Sequence, residues 1–119
     1  GFDAALGRAQ AYADAGADMI FVEAPTSLEQ IKQIAERIKT PKLINMFHGG
    51  KTPMVPVDTL KALGYQIVII PSDLQRAAIK AMQTTLTTIK ADGDSSAISN
   101  TLATFDEREQ IIDTASYLG

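Results

Sequence analysis

Cysteine is absent from this 119-residue chain, and histidine occurs once. The first absence excludes a disulfide framework and any thiol chemistry by the chain's own residues, and it fits a reducing compartment. The second excludes a His/Cys metal cluster built from this chain alone. No apolar run reaches the length needed to cross a bilayer. Positive charge is also scarce: 11 Lys and Arg stand against 14 Asp and Glu, a formal net charge of -3. Such a surface is repelled by a phosphate backbone, so nucleic acid is not the expected partner. No secretory leader is visible, because Gly1, Phe2 and Asp3 open directly on a helical pattern. The initiator Met is missing as well. A fragment or a trimmed chain of a cytoplasmic protein, without membrane contact, is therefore expected.

Three short apolar runs organise what is present. They lie near 18–23, 42–46 and 66–70, and their starts are 24 residues apart each time. A helix-like segment fills each gap. Short β-branched runs alternating with amphipathic helical segments are the pattern of parallel βα units. The runs are apolar on consecutive positions, which predicts strands covered on both faces.

The connecting signals agree with that reading. Phe2, Ala5, Leu6, Ala9 and Ala13 recur at helical spacing, and Gly16 is placed to end the helix. Ser27 and Gln30 have capping-box spacing ahead of the stripe Leu28, Ile31, Ile34, Ala35 and Ile38. Asp58 is expected to cap a short helix ended by Gly64, and Ser72 a long one reaching about Ala91. The four methionines read as core or loop packing. Residues 92–103 read as a polar linker. Thr104 and Glu107 then have the spacing of a second capping box, opening a terminal helix over 104–119 that packs on its own chain or on a partner subunit.

Three strands alone make a thin sheet with two open edges. The expected fold class is therefore α/β: the C-terminal portion of a (β/α)8 barrel, three parallel βα units over 1–91 plus an additional C-terminal helix. A complete small three-stranded α/β domain and a doubly wound open sheet are the competing architectures.

Unusual residues stand where the strands end, the rim that carries ligands in α/β folds. Glu23 closes the first run. A carboxylate there orients a substrate or reaches a cation through water, or it is a solvent-facing strand end. Asn45 interrupts the second run, and its amide suits a ligand carboxylate or ties down the next loop. His48 follows it, either as an acid-base or substrate-binding group or as an ordinary loop residue. Gly49, Gly50, Lys51, Thr52 and Pro53 miss the Walker spacing, since proline rather than a helix follows. Gly49 and Gly50 instead permit close backbone approach or a hinge. Lys51 meets an anionic substrate or faces water, and Pro71 shapes a pocket wall or fixes the entry into the next helix.

Four stretches together resemble the isocitrate lyase and phosphoenolpyruvate mutase superfamily. They are Ala9-Gln10-Ala11-Tyr12 leading to Ala15-Gly16-Ala17-Asp18, Ile20-Phe21-Val22-Glu23-Ala24, Asn45-Met46 with Gly50-Lys51-Thr52-Pro53, and Ala62-Leu63-Gly64-Tyr65 before residues 67–71. The closer branch resembles 2-methylisocitrate lyase, 2,3-dimethylmalate lyase and carboxyphosphonoenolpyruvate phosphonomutase. The resemblance implies a divalent cation, Mg2+ or Mn2+, with direct ligands outside this segment and Glu23 near the metal-bound substrate. It implies a small carboxylate substrate, a 2-hydroxy di- or tricarboxylate cleaved to a 2-oxo acid by a retro-aldol route. It also implies a homo-oligomer, a tetramer in the family, assembled through the C-terminal helices. Asn45 then holds a substrate carboxylate, and Pro71 is the strand-end wall. His48 departs from the family pattern, where several lyases carry glutamate, and leaves the substrate open. Alternatives are phosphonopyruvate-type phosphonomutase or hydrolase chemistry, oxaloacetate decarboxylation, and a non-catalytic assembly domain. The 119-residue segment by itself is expected to be inactive.

Overall fold

The structure, a computed structural model, describes residues 1–118; the last residue of the expected 104–119 helix, Gly119, lies outside them. The chain forms two compact units, Gly1–Leu74 and Gln75–Gly119.

The first unit follows an αβαβαβ order: α1 (Phe2–Asp14), β1 (Ile20–Phe21), α2 (Leu28–Arg37), β2 (Lys42–Asn45), α3 (Val57–Ala62) and β3 (Ile67–Ile69). The strands pair in parallel in the order β1-β2-β3. Ile20 stands opposite Lys42 and Phe21 opposite Leu43, while Leu43, Ile44 and Asn45 match Ile67, Val68 and Ile69. Each element begins and ends for a local reason. Gly16, at φ +97, lets the chain leave α1 in a conformation that Cβ-bearing residues avoid. The Ser27 hydroxyl accepts from the Gln30 amide at 3.2 Å, while Gln30 Oε1 accepts from the Thr26 amide at 2.8 Å. The reciprocal half of that capping box is thus shifted by one residue.

The expected α/β class and βα order hold, forming part of an unclosed (β/α)-barrel-like sheet. The strands are shorter than the apolar runs, with regular pairing confined to Ile20–Phe21, Lys42–Asn45 and Ile67–Ile69. Pro56, not Asp58, occupies the N-cap position of α3, without a side-chain cap. Asp58 instead places its charge in the first helical turn. Of the methionines, Met46 is core at 2% exposure, whereas Met54 and Met82 are exposed.

Parallel pairing sorts the side chains by the period of two. On one face Ile20, Val22, Ile44 and Met46 are buried with Leu6 and Ala9 of α1, Ile31, Ile34 and Ile38 around α2, and Leu60 of α3. Burying each Val, Leu, Ile or Met side chain of this set contributes about 1.5–3 kcal/mol. Phe21, Ile67 and Ile69 belong to the other face, and each keeps 42% exposure. Within this segment the strands are thus covered on one face only. The unit's own helices cover one face, and three strands do not close on themselves to bury the second.

The second unit holds most of α4 (Asp73–Asp92), a 3-10 helix (Ser96–Thr101), α5 (Phe105–Ile112) and α6 (Thr114–Leu118). Two expectations change here. The 92–103 segment carries a helical turn rather than linker alone. The terminal helix is two helices, separated by Asp113 in the left-handed conformation at φ +52. The Thr104–Glu107 capping box forms with both of its hydrogen bonds.

Candidate active site

Glu23, Asn45, Phe47, Gly50, Lys51 and Pro71 line one cleft of about 410 Å³, together with Ala24 and Thr52. The period of two explains the gathering. Glu23 follows Phe21 by two residues, Asn45 follows Leu43, and Pro71 follows Ile69, all on the exposed face and all at the C-terminal ends of adjacent parallel strands. The arrangement brings together a carboxylate, a carboxamide and an ammonium group. It can therefore accept a proton or hydrogen bond, donate to a carboxylate, and balance negative charge.

The backbone turns sharply at two of these strand ends. Ala24 has φ +51 directly after Glu23, and Ser72 has φ +62 directly after Pro71. Ser72 in that conformation departs from the extended backbone usual for an N-cap, the role expected of it. Left-handed backbone at non-glycine residues costs free energy and concentrates at sites that need a fixed side-chain direction.

The loop after β2 is held at both ends. The Met46 amide donates to Ile69 O at 2.8 Å, which extends the ladder one residue past β2. The Val55 amide donates to the Met46 sulfur at 3.4 Å, which returns the loop to the core. Between these anchors the Gly50 amide donates to Phe47 O at 3.0 Å. Gly49 lies at φ +92 in the third position of this turn, the geometry of a type II turn that favours glycine there.

Of the residues singled out from sequence, Glu23, Asn45, Lys51, Pro71 and Gly50 share the cleft. His48 and Gly49 are exposed at the two central positions of the turn and do not line it. Phe47 also lines it, a strand-end residue to which no role is assigned from the sequence. Its signal was available: it stands two residues beyond Asn45, hence on the same side of an extended chain. No group of three or more His, Cys, Asp or Glu among the described residues could hold a metal ion. Glu23 is the one carboxylate among the residues that line the cleft.

Residues 1–90 match the protein family described as phosphoenolpyruvate phosphomutase. The chain is 44% identical over 117 residues to 2-methylisocitrate lyase of Aeropyrum pernix, covering 98% of this chain and 38% of that protein. It is 43% identical over 107 residues to 2,3-dimethylmalate lyase of Eubacterium barkeri, covering 90% and 37%. The crystal structure of a 2,3-dimethylmalate lyase superposes with a TM-score of 0.75 at 27% identity, over 98% of this chain and 43% of that one. The chain thus spans less than half the length of these relatives.

Proposed function

Since the chain belongs to the phosphoenolpyruvate mutase and isocitrate lyase family, we propose that the complete protein carrying it is a divalent-cation-dependent carbon–carbon lyase. Its substrate is a 2-hydroxy di- or tricarboxylate, and its products are a 2-oxo acid and a second carboxylic acid. The observation that carries this reading is the convergence of Glu23, Asn45 and Lys51 in one cleft at the C-terminal ends of parallel strands.

In this reading the substrate hydroxyl loses its proton to a base and its C–O bond becomes a carbonyl. The adjacent C–C bond breaks, and its electron pair passes to the enolate of the departing acid, which an acid then protonates. The Asn45 amide donates to a substrate carboxylate, and Lys51 balances its charge. Glu23 accepts from the hydroxyl and orients it. Phe47 and Pro71 keep water from the reacting face. The described residues do not supply a ligand set for the cation, Mg2+ or Mn2+; in this reading its ligands and the general acid lie outside residues 1–118. Assembly as a homo-oligomer through the C-terminal helices belongs to the same proposal. Exposed apolar residues there support it: Leu86 is 67% exposed, Phe105 72% and Ile111 80%.

The test is release of a 2-oxo acid by the complete polypeptide from a panel of 2-hydroxy di- and tricarboxylates, with and without Mg2+. Cation-dependent release is expected from at least one acid. Absence of release across the panel at saturating Mg2+ overturns the reading. Glu23→Gln is expected to lower turnover while leaving the fold intact, and an unchanged rate removes Glu23 from the chemistry.

A further inference from the structure

Two consecutive residues at the end of β2 serve opposite sides of the sheet. Asn45 lines the cleft, while the period of two turns Met46 into the core, where it keeps 2% exposure. The Met46 amide donates to Ile69 O at 2.8 Å, so its backbone belongs to the sheet. Its sulfur accepts from the Val55 amide at 3.4 Å. Residues 47–54 lie between these two bonds, and Lys51 and Thr52 among them line the cleft.

The sulfur has a chemical task there that packing does not explain. Val55 is itself core, at 8% exposure, and its amide is a buried donor. A buried donor without an acceptor costs free energy. An aliphatic side chain at position 46 would fill the space and accept nothing. The loop would then give up the burial of Val55 or leave its amide unmet. Both ends of the bond are enclosed by this segment's own core, so the contact does not depend on chain beyond it. The bond to Ile69 O runs from backbone to backbone, and a change of side chain at Met46 leaves it in place. Met46 is thus placed to move Lys51 without moving Asn45.

We propose that Met46 is a positioning residue: its sulfur clamps the loop 47–55 through the Val55 amide and so sets where Lys51 stands in the cleft. The inference rests on the reading of this cleft as a carboxylate site. It adds the core side chain on which the placing of the ammonium group depends.

Met46→Leu nearly keeps the side-chain volume and removes the acceptor. In the complete polypeptide, with Mg2+ present, amide hydrogen exchange at Val55 is expected to quicken about tenfold, while exchange at the residue 46 amide stays as it was. Succinate affinity, measured by calorimetry, is expected to fall about fivefold. In a Lys51→Ala background the same substitution costs no further affinity, because the group it positions is gone. A purely structural defect would lower affinity by the same factor with or without Lys51. Val55 exchange unchanged by Met46→Leu, unchanged succinate affinity, or an equal loss in both backgrounds overturns the proposal. The unsubstituted protein supplies a reading of its own: a Val55 amide that exchanges as fast as open loop overturns the clamp whether or not the leucine variant folds. Quickened Val55 exchange in Met46→Leu, with no succinate binding to the unsubstituted protein, overturns the carboxylate reading of the cleft and leaves the clamp standing.

Discussion

Lys42 Nζ donates to the backbone oxygen of Ile38 at 2.9 Å from a side chain that is 4% exposed. It also approaches Thr40 O at 3.4 Å and lies 5.9 Å from the centre of the Tyr65 ring. The Tyr65 hydroxyl in turn donates to Ile31 O at 3.0 Å, and the Lys42 amide donates to Gln66 Oε1 at 2.7 Å. This cluster ties the end of α2 to the starts of β2 and β3. It lies at the opposite ends of the strands from Glu23 and Asn45, where residues of a barrel-like sheet serve stability rather than chemistry.

Two opposed pH dependences follow. Burial pushes the Tyr65 hydroxyl from an ordinary 10.0 up to about 12. Between those values the folded chain keeps a proton that the unfolded chain has lost, so stability falls as pH rises. Burial first, and then neighbouring Lys39, hold the Lys42 ammonium below its ordinary 10.5. The unfolded chain there holds a proton that the folded chain has released, so stability rises as pH climbs toward 10.5. Urea midpoints of the complete polypeptide across alkaline pH check both. Tyr65→Phe is expected to remove the loss above pH 10, and Lys42→Met the gain below 10.5.

Asn45 offers a sharper test of the cleft. Asn45→Asp is nearly isosteric but replaces a donor amide with a negative charge facing a substrate carboxylate. A tenfold or larger rise in KM is expected, equivalent to about 1.4 kcal/mol, with the urea midpoint little changed. Steady-state kinetics on the complete polypeptide measure it. An unchanged KM would mean that the amide meets the loop and not the ligand.

How far the sequence alone reached depends on which forces were local. The even spacing of the strands, the Ser27 cap and the rim positions of Glu23, Asn45 and Pro71 follow from neighbours in sequence, and the structure agrees on where they lie. The burial of Lys42 was not legible, because it depends on Tyr65 and Gln66 arriving from another βα unit. His48 and Lys51 looked equivalent in one glycine-rich loop. A type II turn separates them, leaving His48 at its corner and Lys51 on the cleft. The break at Asp113 carried no glycine or proline to announce it, and the left-handed tolerance of aspartate makes it possible.

The second capping box predicts a local effect in the Gln75–Gly119 unit. Thr104 Oγ1 accepts from the Glu107 amide at 3.2 Å, while Glu107 Oε2 accepts from the Thr104 amide at 2.7 Å. Thr104→Ala is expected to destabilise α5 by about 1 kcal/mol. Amide hydrogen exchange in 105–112 reads this directly, and unchanged protection would mean that α5 is held by packing rather than by its cap. The bonds from Thr104 also hold the Glu107 carboxyl below its ordinary range. Their contribution is therefore present near neutral pH and is lost as pH falls through the lowered value.

The turn after Glu23 predicts a split between two small substitutions. Ala24 occupies φ +51, where a side chain costs about 1–2 kcal/mol relative to glycine. Glycine removes that cost but adds about 0.5–1 kcal/mol of unfolded-state entropy. Ala24→Gly is therefore expected to move the urea midpoint little, within about 1 kcal/mol of stability. Ala24→Val puts a β-branched residue where such residues are outliers, so it should cost more than about 1 kcal/mol or force the turn to open. If the turn opens, Glu23 leaves the cleft, and turnover falls while Asn45-dependent binding of a carboxylate persists. Urea denaturation with parallel measurements of turnover and succinate affinity separates the outcomes. A valine variant with parental stability and rate would mean that the left-handed turn does not set the direction of Glu23.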